Sequence, residues 1–241
     1  MSVIGLERWL QHLLEHLPIA REGHDPEGVH QVRVAVRRLR VWLRLAGMRV
    51  LEDDLAWLVR AAGQVRDLEV LLQHPNLPRA FRAWAELRLK QARTTFVPLL
   101  DSPRLAGLLS ALACLPPLDA KVAESRLPRF VQQVERRAQE WRREDSIEHL
   151  HALRRALRRL RYALEWLEQD SDTVKALQEI FGQVGDLSFT LNYLAAFEAE
   201  GGRAPARYRE QLEDSLAQAL KEAKQAWNHH QGDLRSFAKS T

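Results

Sequence analysis

The stretch VHQVRVAVRRLRVWLRL, residues 29–45, holds five arginines and neither an acid nor a lysine. A guanidinium group is a planar, permanently charged fork that grips phosphate or carboxylate oxygens in pairs. With His30 set at zero and a helical advance of about 100° per residue, Arg33, Arg37, Arg40 and Arg44 fall in an arc of about 80° beside it. Val32, Ala35, Val36, Leu39, Trp42, Leu43 and Ala46 cover the other side, a wide apolar face suited to a bundle core. Like charges at such spacings repel by a few tenths of a kcal/mol per pair. A stripe of this kind is therefore a small burden on the helix unless an anion relieves it.

The chain makes the stripe twice. HQVRVAVRRLRVWL (30–43) and HALRRALRRLRYAL (151–164) agree at eight of fourteen positions. His151, Arg154, Arg158 and Arg161 repeat the cationic arc, and Leu153, Ala156, Leu157, Leu160, Ala163 and Leu164 repeat the apolar face. Arg38 and Arg159 stand off the stripe, near 80°, and are expected to be solvated or paired locally. Each copy is followed by a second matching element, GQVRDL (63–68) and GQVGDL (182–187), and a weaker third, KQARTTF (90–96) and KEAKQAW (221–227). The order is the same in both halves, which reads as an internal duplication with a period near half the chain.

The elements that must carry these residues are helical throughout. Helices are expected at 3–17, 27–47, 51–73, 77–98, 103–114, 119–143, 146–168, 173–200 and 205–229. They are separated by Pro18, Gly23–Pro26, Gly47, HPNLP, Pro103, LPPLD and GGRAP. Asp25–Pro26 places a proline in the first helical turn, and Asp119 and Asp145–Ser146 are the expected N-caps. The expected fold is all-α: two four-helix bundles packed with pseudo-two-fold symmetry. It forms one domain over 1–241, with a first repeat at 1–115 and a second at 119–230.

Composition limits the alternatives. Of 36 basic residues only six are lysine, and the net charge is +4. No run of 18 apolar residues is present, and the N-terminus lacks the layout of a signal peptide. The single Cys114 makes no intrachain disulfide. A soluble, cytoplasmic protein with no membrane partner is the expectation. No catalytic residue, cofactor or metal is expected. HLLEH (12–16) matches the H-x-x-E-H zinc pattern, but three fixed letters in a chain of nine histidines read better as filler of an amphipathic first helix. Ser/His/Asp sets, P-loops and GxGxxG cradles are missing.

H-x-x-R-x-x-x-R-R-L-R given twice, each copy followed by G-x-V-x-D-L in an all-α chain, resembles the CHAD family (conserved histidine α-helical domain). The resemblance spans about residues 3–230. It implies two four-helix bundles and a basic central surface that binds inorganic polyphosphate. It also implies a binding set of His30, Arg33, Arg37, Arg40 and Arg44 with His151, Arg154, Arg158 and Arg161, lining one groove. Arg38, Arg66, Lys90, Arg93, Arg159, Lys221 and Lys224 are possible extensions. Association with polyphosphate granules would follow. Arg44 is matched by Glu165 in the second half and Arg66 by Gly185, so the first half should bind more strongly. Asp67 and Asp186 are read as structural, each holding an arginine or a helix end. The rival partners are nucleic acid, whose backbone also suits a basic groove, and an acidic protein. Against the first stand the lack of any nucleic-acid-binding motif and a Trp42 that points into the core.

Overall fold

The structure, a computed structural model, describes residues 2–234; Met1 and residues 235–241, which the expected domain includes, lie outside the described residues. Among the described residues the fold is all-α apart from one two-residue strand pair, and the chain divides into two compact units, Met1–Asp119 and Ala120–Thr241.

In the first unit, β1 (Val3–Ile4) pairs antiparallel with β2 (Leu118–Asp119), and between them run α1 (Glu7–Glu22), α2 (Pro26–Ala46), α3 (Glu52–Leu72), α4 (Arg79–Phe96) and α5 (Pro103–Ala113). Consecutive helices α1 to α4 pack in order. A 3₁₀ turn at Val97–Asp101 and α5, at the place of the expected helix 103–114, close the set against α1, one helix more than a four-helix bundle holds. The expected helix at 3–17 is corrected at both ends. Residues 3–4 are strand, and Trp42 Nε1 donates to the carbonyl of Ile4 at 3.0 Å. Pro18 does not stop α1. It denies the Leu14 carbonyl its helical donor, yet Pro18 and Leu14 are both exposed, so the loss falls on the solvent side. The helix ends instead at Gly23, in the left-handed region at φ 73°. Gly28 brings α1 and α2 together: a Cβ there would stand 2.5 Å from the backbone nitrogen of Ala20.

The second unit holds the short α6 (Ala120–Glu124), then α7 (Leu127–Arg143), α8 (Ile147–Trp166), α9 (Asp172–Ala199) and α10 (Ala206–Leu234), packed in order from α7 to α10. The expected single helix over 119–143 is broken before Leu127, and Pro128 starts the second piece, where its missing N–H removes no helical bond. Trp141 of α7, Phe181 of α9 and Trp227 of α10 form the aromatic centre, with ring centroids 5.7 and 6.4 Å apart. Among the described residues no single helix is long and apolar enough to cross a membrane.

Candidate functional site

Helix α2 is fixed at both ends. The Asp25 carboxylate accepts from the Glu27 N–H at 2.8 Å with Pro26 in the first turn. At the far end Gly47 turns left-handed and the Met48 N–H returns to the Leu43 carbonyl at 2.8 Å. Val32, Ala35, Val36, Leu39, Trp42 and Leu43 are all buried. Burial of that face sets the helix rotation and leaves His30, Arg33, Arg37, Arg40 and Arg44 half-buried along one side.

Arg33, Arg40 and Arg44 each meet a residue of α3. Arg33, only 13% exposed, lies across Gly63, and its Nη2 stands 3.6 Å from the Asp67 carboxylate. The glycine and the aspartate of GQVRDL thus act on one guanidinium: one leaves room for it and the other holds it. Arg40 reaches Glu52 at 3.4 Å, and Arg44 pairs with the same carboxylate. The stripe helix carries no acid in this region, but the first turn of α3 supplies one. Arg44, expected in the binding set as the far end of the stripe, pairs with Glu52. Burial pushes the Glu52 carboxyl up, but the Arg44 hydrogen bond and the charges of Arg44 and Arg40 outweigh it, and the net shift is downward. Arg40 itself is lowered, first by burial and then by Arg44, against the opposing pull of Glu52; Arg60 adds to the lowering.

His30 titrates below its ordinary value. Burial is the main cause, followed by the Arg66 charge; Glu27 opposes it, and Arg37 and Arg33 add smaller repulsions. Arg66 also donates to the Pro26 carbonyl at 3.4 Å, at the start of α2. It shares the buried Glu69 with Arg93, at 3.7 and 2.5 Å. Burial raises the Glu69 carboxyl despite both arginines.

In the second unit Ser146 caps α8, accepting from the His149 N–H at 3.3 Å. His151, Arg154, Arg158 and Arg161 again lie half-buried on one side. Arg154 meets the matching aspartate, its Nη2 3.9 Å from Asp186, but its guanidinium lies closest over Gly185, which stands where the first unit has Arg66, and not over Gly182, the counterpart of Gly63. Arg161 pairs with Glu165 of its own helix at 3.0 Å. His151 is lowered by burial, then by Arg154 and Arg155, with Glu148 opposing. The group Arg66, Glu69 and Arg93 has as counterparts Gly185, the buried Ser188, whose hydroxyl donates to Val184, and Lys224, which pairs with Asp145.

The other extension residues are scattered. Arg38 stacks on Trp9 of α1, 4.2 Å from its centroid. Arg159 is half-buried on α8, and Lys221 is exposed on α10. Lys90 lines an open cleft of about 540 Å³ with Arg93, Arg21, Glu22 and Glu86, a wall of mixed sign. Sequence reasoning missed Glu52, Arg60, Glu69 and Arg155. The first three sit on α3, where only the packing of α2 on α3 reveals them. Arg155 is an exposed residue beside His151 that the helical wheel left out.

Arg40 and Arg44 share the Glu52 carboxylate, and Arg161 meets Glu165 of its own helix. Arg60 beside Arg40 has Glu179 at the position 119 residues on.

The family model described as the CHAD domain matches residues 5–190. Among solved structures, the crystal structure of the CHAD domain from the plant Ricinus communis is 25% identical, covering 96% of this chain and 87% of that one, with a TM-score of 0.67. PptA from Streptomyces chartreusis is 18% identical over 95% of this chain and 99% of that one, with a TM-score of 0.66. No curated protein matches the sequence.

Proposed function

The chain belongs to the CHAD domain family, and from that premise we propose that it binds inorganic polyphosphate, without catalysis, through the arginine–histidine stripes of its two units. One observation carries the reading. In each unit a histidine opens a half-buried row of arginines, and the first arginine is held across a helix glycine by an aspartate of the next helix. Arginines held this way have lost part of their rotamer freedom before a ligand arrives, which lowers the entropic cost of engaging one. A rise of about 5.4 Å per turn spaces them for successive phosphates of a polymer. Association with polyphosphate-rich bodies follows from the same reading.

Arg37→Glu combined with Arg158→Glu tests it, with binding of long-chain polyphosphate followed by calorimetry and helicity by circular dichroism. Loss of binding at unchanged helicity supports the proposal. Unchanged binding, or loss of helicity in the double variant, assigns these arginines elsewhere. A duplex DNA of equal phosphate content serves as competitor. Equal affinity for it would favour a general polyanion site, and no binding of either would favour an acidic protein partner.

A further inference from the structure

We propose that His12, Glu15 and His16 of α1 form a second site, unrelated to the stripes, for one divalent transition-metal ion of the zinc class. The three residues stand at i, i+3 and i+4 on one helix side, and one ligand atom of each lies within 4.8 Å of the others. The two imidazoles are in contact at a tilt, with centroids 4.2 Å apart and planes 30° from parallel.

What distinguishes the cluster from a chance grouping is how its lone pairs are set. His16 Nδ1 donates to the His12 backbone carbonyl at 2.8 Å, so its Nε2 carries the lone pair. His12 Nε2 meets Gln31 Oε1 of α2 at 2.9 Å. The Gln31 amide nitrogen is committed to Glu27. Gln31 therefore offers its oxygen, His12 Nε2 is the donor, and His12 Nδ1 keeps a lone pair. A ligating histidine whose other ring nitrogen donates to a carbonyl or amide oxygen is the arrangement that orients metal ligands and raises their basicity. Gln11 donates to Glu15 at 2.9 Å and steadies the carboxylate.

Two neutral imidazoles and one carboxylate suit zinc, cobalt(II) or nickel(II). Bonds of about 2.0–2.1 Å require the donors to close to about 3.3 Å in a tetrahedral site. Side-chain rotation can supply that, since Glu15 is exposed and both histidines are half-buried. Three ligands from one helix leave a position open to water or to an oxygen ligand. Arg8 and Arg38 stack on Trp9, whose ring meets His12 at 5.0 Å. Their charge opposes a cation and lowers the affinity.

The test uses the full, untagged, metal-stripped chain, titrated with cobalt(II) in the visible and with zinc by calorimetry. One ion per chain is expected, with saturable binding below millimolar metal and ligand-field bands for cobalt(II). His16→Ala should abolish it. Glu15→Gln and Gln31→Leu should each weaken it by about tenfold at unchanged helicity. His229→Ala with His230→Ala, which removes another histidine pair, should leave it intact. Absence of saturable binding below millimolar zinc overturns the site, as does binding that survives His16→Ala. If His16→Ala fails to fold, the exposed Glu15→Gln decides: an unchanged affinity and cobalt spectrum would equally overturn it.

Discussion

Arg33 lies so close over Gly63 that a methyl group on that glycine would stand 2.7 Å from its Nη1. Arg154 and Gly185 do the same in the second unit, at 2.5 Å. Alanine in a helix interior normally stabilises over glycine by about 1 kcal/mol. At these positions it must also push a flexible guanidinium aside, away from Asp67 or Asp186.

Gly63→Ala with Gly185→Ala is therefore expected to weaken polyphosphate binding several-fold while the melting temperature holds or rises. Calorimetry and a thermal melt on the same samples read both. An unchanged affinity would show that where these two arginines lie is irrelevant to the ligand.

Glu52 neutralises part of the first stripe. Glu52→Gln keeps the shape and removes the charge that Arg40 and Arg44 share. Polyphosphate binding should tighten by roughly fivefold, corresponding to about 1 kcal/mol for a partly exposed pair. A titration of the variant at fixed salt checks this, and weaker binding would mean that Glu52 orients the arginines more than it competes for them.

The buried faces of α2 and α8 were legible in the sequence, because a period of 3.6 residues names them directly. Every assigned position from Val32 to Leu43 and from Leu153 to Leu164 is buried. The arc holding the arginines follows from the same spacing. Which acid each arginine meets was not legible for Arg40 and Arg44, because Glu52 lies on another helix and only packing brings it near. The strand pairing of Val3–Ile4 with Leu118–Asp119 joins positions more than a hundred residues apart, where no local pattern reports it. Pro18 was read as a stop because local steric rules disfavour it inside a helix. They say nothing of whether the orphaned carbonyl faces water.

His30 and His151 both titrate below 6.5, chiefly through burial. A depressed histidine binds its proton more readily unfolded than folded, so ligand-free stability is full above about pH 6.5 and falls as pH drops through the folded values. A bound polyanion reverses the local field set by Arg66, Arg33 and Arg37 at His30, and by Arg154 and Arg155 at His151. It raises both titrations, so affinity should climb as pH falls below about 6.5, by up to about tenfold per unit for each proton taken up. Titrations between pH 5.5 and 7.5, repeated with both histidines changed to Gln, measure the slope. An identical slope in the double variant would remove the histidines from the site.

Helices α2 and α8 end alike except at one residue. Gly47 sits at φ 69°, and its counterpart Glu168 adopts φ 55°, with the Gln169 N–H returning to Leu164 at 2.9 Å. A side chain in that region costs about 1 kcal/mol. Glu168→Gly should raise the unfolding free energy by about that amount, and chemical denaturation reads it. A loss of stability would mean that the Glu168 side chain contributes more than its backbone conformation costs.

The most direct measurement is a calorimetric titration of the unmodified chain with long-chain polyphosphate, tripolyphosphate and a DNA duplex, at two salt concentrations. Tight binding of the long polymer is expected, with far weaker binding of the other two and a steep loss of affinity with salt as counterions are released from many phosphate contacts. Equal binding of DNA, or an affinity that does not respond to salt, would contradict it.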